Sequence, residues 1–77
     1  MALIGAFESR PIEGSRLHGT VTCGYRWFDV NGRRILQLDT YGSAERAFAG
    51  KVSQSLQVDE SAARELRSLL ERAFPSP

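Results

Sequence analysis

The clearest pattern in the chain is a change of period. From Ala62 to Ala73, apolar residues recur at helical spacing: Ala62, Leu66, Leu69, Leu70 and Ala73 form one stripe. Arg64, Arg67, Ser68, Glu71 and Arg72 fall largely on the other side, as in an amphipathic helix lying on something apolar. Upstream the period is two. The stretch TVTCGYRWFDV, residues 20–30, is rich in the β-branched and aromatic residues that fit a pleated surface. Val21, Cys23, Tyr25 and Trp27 alternate to one side, and Thr20, Thr22, Arg26 and Phe28 to the other. In residues 35–41, Leu36 and Leu38 share one face while Ile35, Gln37, Asp39 and Tyr41 share the opposite one. Residues 51–58 predict a further strand, with Val52, Leu56 and Val58 on one side and Lys51, Ser53, Ser55 and Gln57 on the other. Gln54 is the exception on the apolar side.

Turn and cap signals divide these runs. Asn31-Gly32 is the sharpest, because a two-residue type I′ turn needs positive φ at both central positions and these residues tolerate it best. Two partly apolar faces on residues 20–30 leave two readings: the second face meets a partner, or Gly24 marks a bulge or tight bend that changes the alternation. Residues 42–50 read as a loop carrying Arg46 and Phe48, and residues 9–15, with Pro11 and Gly14, as another. Asp59 is placed to cap the helix, Glu60 lies four residues before Arg64, and Pro75 ends the helix. Leu3, Ile4, Ala6 and Phe7 form a short apolar opening, so residues 1–16 read as an edge strand plus loop. The expected fold is α+β: an antiparallel three- to four-stranded meander followed by one C-terminal helix packed on the sheet.

Length changes what this fold can do alone. Seventy-seven residues make one small domain, which buries only about 60% of the surface its unfolded chain exposes. Cys23 is the only cysteine and His18 the only histidine, so neither an internal disulfide nor a conventional metal site is expected. No cofactor is expected either. Self-association is the remaining way to enlarge the core, and a homodimer is predicted. No apolar run approaches the roughly 20 residues of a membrane span. The opening MALIGAF, followed directly by Glu8, does not read as a signal peptide. Together with a free thiol, this places the expected location in the cytoplasm, away from membranes.

Formal net charge is only +1 but is uneven: residues 1–58 carry seven basic and five acidic side chains, and residues 59–77 three basic and four acidic. The bias toward the sheet side permits a polyanion there. Candidate chemistry follows from the same residues. Single-stranded nucleic acid requires a cationic track with ring faces for base stacking. Arg26, Arg33, Arg34, Arg46 and Lys51 supply charge, and Tyr25, Trp27, Phe28, Tyr41 and Phe48 supply rings. In a thin core Tyr25 and Trp27 read first as packing residues. Arginines beside a turn also serve as solvated charges that discourage edge pairing. An enzyme is not expected: Asp29 reads as a turn residue, Asp39 as a partner for a neighbouring arginine, and Cys23 as a buried thiol. The rival non-enzymatic reading is a protein-interaction module, using the uncharged polar patch of Ser53, Gln54, Ser55 and Gln57 with any exposed Phe28 or Phe48.

The order DVNGRR, ILQLDTY, a Gly/Ser/Arg loop and GKVSQSLQVDESAARELRSLL resembles the positive-cofactor-four family of transcriptional coactivators and its small bacterial relatives over about residues 20–72. The resemblance implies four strands and a helix, a homodimer, and single-stranded or unwound DNA bound on sheet surfaces with little sequence preference, in a regulatory role. It places the hairpin basic residues at Arg33 and Arg34, the strand-ending aromatic at Tyr41 and the loop basic residues at Arg46 and Lys51, with the helix dimerising and covering the sheet. The chain departs from the family in carrying a single lysine, in its Tyr41-Gly42 strand end, and in its long last strand.

Overall fold

The computed structural model describes residues 1–42 and 51–77. The elements are β1 (Ala2–Ile4), β2 (Cys23–Val30), β3 (Arg33–Tyr41), β4 (Val52–Val58) and α1 (Glu60–Ala73). The four strands form one sheet in the order β1-β4-β3-β2, with α1 packed on it, an α+β arrangement.

The β2–β3 hairpin forms around Asn31 and Gly32, at φ 51° and 77°, which is the positive-φ pair that the Asn-Gly signal predicts. Register then runs without interruption from Val30↔Arg33 to Cys23↔Thr40. The bulge expected at Gly24 is therefore absent. Gly24 instead makes room for a neighbour: a Cβ there would sit 3.1 Å from Cε2 of the Tyr41 ring, a tight contact that the ring would have to relieve by shifting. The irregularity falls instead between β3 and β4, where Thr40 pairs with Gln54 but Tyr41 pairs with Val52.

The meander also needs correction. β1 runs parallel to β4, pairing Ala2–Ile4 with Leu56–Val58, so the sheet is mixed. The link from β1 to β2 is long enough for the two strands to occupy opposite edges. Part of it, Phe7 to Ser9, shares a hollow with Glu65, Leu69 and Arg72 of the helix.

The helix begins where Asp59 Oδ1 accepts from the Ala62 N–H at 2.9 Å and ends where the Phe74 N–H donates to the Leu70 carbonyl, immediately before Pro75. Glu60 and Arg64 pair one turn apart at 3.1 Å. Ala63 borders a hollow with Leu36 and Val58, whereas hollows on the opposite face have no helix residue among their walls. The sheet thus has a helix face and an open face.

The core is thin. Val58, Ala62 and Ile35 are the buried apolar side chains, and among the described residues none is fully buried. Exposed area is 7086 Å², against about 4,700 Å² expected for a compact 8.5 kDa chain. The radius of gyration, 14.9 Å, exceeds the roughly 11.5 Å of a compact domain of this length. No helix among the described residues is long and apolar enough to cross a membrane.

Candidate functional site

The period-two backbone divides the side chains of the hairpin and β4 into two chemically different sets. On the open face, β3 and β4 place Gln37 opposite Gln57 and Asp39 opposite Ser55. These four side chains form one hydrogen-bonded row. Gln57 Nε2 donates to Gln37 Oε1 at 2.9 Å, Gln37 Nε2 donates to Asp39 Oδ1 at 2.9 Å, and Ser55 Oγ donates to the same oxygen at 2.6 Å. The carboxylate sets the direction of the row. An ionised Asp39 only accepts, so Gln37 must turn its NH₂ toward it and its carbonyl toward Gln57. The Ser55 and Gln37 hydrogen bonds, with Arg26 nearby, hold the Asp39 carboxyl below its ordinary value of 3.8. Gln37 and Ser55 are buried within this row, and Asp39 is half-buried.

Arg26 lies opposite Gln37 on the neighbouring strand, its guanidinium carbon 5.7 Å from the centre of the Phe28 ring. It is exposed and makes no ion pair among the described residues. Phe28 and Tyr41 are half-buried on the same face.

The other basic residues predicted for the site are dispersed. Arg33 donates to Asp59 Oδ2 at 2.8 Å, while the other oxygen of that carboxylate caps the helix. The Ala62 N–H and Arg33 together lower the Asp59 pKa from 3.8. Arg34 is exposed and holds Asp29, its cross-strand neighbour, with Nε 3.1 Å from Oδ1. That pair lowers the Asp29 pKa and raises that of Arg34. Lys51 is exposed just before β4. Arg46 and Phe48 lie outside the described residues.

Trp27 falls on the helix face, where its ring stacks beside Tyr25 with centroids 6.2 Å apart. Tyr25 is 71% and Trp27 59% exposed, so the packing role expected for them is not filled within one chain. Leu56, paired with Leu38 on that face, is 44% exposed. Cys23, expected to be buried, is exposed at the start of β2.

The structure therefore gathers Arg26 and Tyr41 around the polar row on one side and puts Arg34 and Trp27 on the other. The row itself was only half-visible in the sequence. Ser55 and Gln57 stand out as uncharged polar residues, but their connection to Gln37 and Asp39 depends on cross-strand register. These features define a small sheet-and-helix module with a helix-covered face and an open face that carries the polar row beside an apolar group of Leu3, Phe28, Val30 and Ile35. The chain matches no family model, no characterised protein and no solved structure.

Proposed function

We propose that the chain is a homodimeric, non-catalytic regulatory protein that binds single-stranded nucleic acid on its open sheet face and meets its second copy through the helix face. The observation that supports this most is the grouping of a cation, rings and a polar row on the face that the helix leaves open. The open face carries Arg26 beside two partly accessible rings, Phe28 and Tyr41, and a row of amide, hydroxyl and carboxylate groups. Rings with an exposed cation are what a sequence-tolerant single strand requires. The helix face leaves Tyr25, Trp27 and Leu56 exposed, an apolar surface suited to protein. Such a contact would add the interior that one copy lacks. The sequence of basic hairpin, further strand and C-terminal helix is the part of the pattern that favours the positive-cofactor-four resemblance.

The test is binding of a labelled oligonucleotide at two salt concentrations. Each phosphate contact on a single strand predicts an affinity roughly 2.6-fold weaker at 200 mM than at 50 mM salt. Arg26→Gln should lower the slope of log affinity against log salt by about 0.7. Salt-independent binding, or none below about 100 µM, overturns the proposal.

A second reading, a protein-interaction module without nucleic acid, is favoured by one observation. Arg33 and Arg34 are each already engaged by a carboxylate, and the exposed rings of Tyr25 and Trp27 are on the face away from Arg26. Self-association without oligonucleotide binding is its signature.

A further inference from the structure

We infer that the open face distinguishes bases by their exocyclic amino groups, with Asp39 as the residue that reads them. The inference rests on the nucleic-acid reading above and goes beyond it, since stacking and phosphate contact alone are indifferent to base identity.

The argument starts from hydrogen-bond counting. Asp39 has two carboxylate oxygens, and the row uses one of them. Both Gln37 Nε2 and Ser55 Oγ donate to Oδ1, and among the described residues none donates to Oδ2. At the other end, Gln57 Nε2 is turned to Gln37, so its carbonyl is left over. At Asp39 the row ends in an open carboxylate oxygen, which only accepts, while the NH₂ groups of Gln37 and Gln57 each keep a second N–H beside it. A ligand edge that meets Asp39 must bring a donor there.

Position adds a second constraint. Arg26 is close enough to Asp39 to help lower its pKa and stands over Phe28. A carboxylate that accepts and a guanidinium that donates thus sit on one face beside an aromatic ring. The Watson–Crick edge of cytosine pairs an N4 amino donor with N3 and O2 acceptors, and guanine likewise combines amino and ring N–H donors with an acceptor. Uracil and thymine keep a ring donor at N3 but present a C4 carbonyl where cytosine has its amino group. In the register that seats the C4 substituent on Asp39, this sets two acceptors face to face. Carboxylate acceptance from cytosine N4 is an established direct-readout pairing; a bidentate base contact discriminates by roughly 5- to 160-fold, and a single open oxygen corresponds to the lower end of that range.

The probes are oligodeoxycytidine and oligodeoxyuridine of equal length, which share a backbone and lack the methyl group of thymine. Binding of the full chain to each is measured by fluorescence anisotropy. The expected result is tighter binding of the cytidine strand by at least about fivefold. Asp39→Asn is the matched variant, since its Oδ1 still accepts from Gln37 and Ser55 while its NH₂ replaces the open oxygen. It should abolish or reverse the preference without weakening the uridine strand.

Equal, salt-sensitive binding of both strands by the unmodified chain overturns the base-reading inference and leaves the nucleic-acid proposal standing. Absence of binding to either strand overturns both. A preference that survives in folded Asp39→Asn also overturns the assignment to Asp39. Should that variant fail to fold by circular dichroism, the comparison of the two strands on the unmodified chain still decides.

Discussion

Replacing Trp27 with alanine tests whether the helix face is a dimer interface. A tryptophan side chain buries up to about 250 Å² when fully covered. At 59% exposure, roughly 150 Å² of Trp27 is left for a second copy to cover. At about 25 cal/mol per Å² the ceiling is about 3.7 kcal/mol per copy, and a well-seated aromatic anchor contributes about 2 kcal/mol or more. A two-fold interface counts each substitution twice, so the dimer should lose about 4 kcal/mol, nearly a thousandfold in dissociation constant. Sedimentation equilibrium from about 1 to 500 µM covers the range in which such a change converts dimer to monomer. Trp27 is the only tryptophan, so a concentration-dependent blue shift of its emission should accompany association of the unmodified chain. Phe28→Ala, one residue along on the open face, should leave association unchanged. An unmodified chain that is monomeric throughout, or a Trp27→Ala dimer within about threefold of the original constant, refutes the interface.

Two further outcomes follow from the fold. Val58, 3% exposed between the sheet and the helix, should cost about 2 kcal/mol when cut to alanine: about 0.8 kcal/mol for each carbon removed, plus a small cavity. Urea titration reads this as a lowered midpoint at constant slope, and a loss under about 0.5 kcal/mol would mean the helix is not seated there. The pH dependence follows from Asp29, Asp39 and Asp59, each held below the ordinary 3.8 by its partners. The folded chain therefore binds fewer protons at these groups than the unfolded chain. Their contribution is complete above about pH 4 and disappears as pH falls through the depressed values. Asp59→Asn retains a capping oxygen but no longer titrates, so its stability should fall less steeply with acid. An acid profile as steep as that of the unmodified chain would remove Asp59 from this account.

Features that need only neighbours in sequence were legible: the Asn31-Gly32 turn, the Asp59 cap, the apolar stripe of the helix and the alternation along β3. Features that depend on which strand lies beside which were not. Three residues, Ala2–Ile4, carry too little periodicity to announce a partner, so parallel pairing with β4 was hidden. Gly24 showed that a side chain was unwelcome but not why, since the occupant is Tyr41 from the neighbouring strand. Tyr25 and Trp27 lie on an apolar face as their spacing predicts, yet one short helix cannot cover the whole width of a sheet, and they stay exposed. Arg33 and Arg34 seemed a pair because they are adjacent, although adjacency in a strand sends them to opposite faces.

That last point makes the turn a functional element. A two-residue loop fixes Asp29 opposite Arg34 and Arg26 opposite Gln37. A slip of one residue between the strands would exchange the faces presented by one of them, carrying Gln37 and Asp39 away from Arg26 and Phe28. Neither the polar row nor the apolar Tyr25–Trp27 surface requires an unusual residue. Each arises because common residues are held in alternation, and positive φ at Asn31 and Gly32 supplies the registration. The separation of the polar row from the Tyr25–Trp27 surface, and with it the proposed assignment of a strand to one and a second copy to the other, depends on that turn more than on any single arginine.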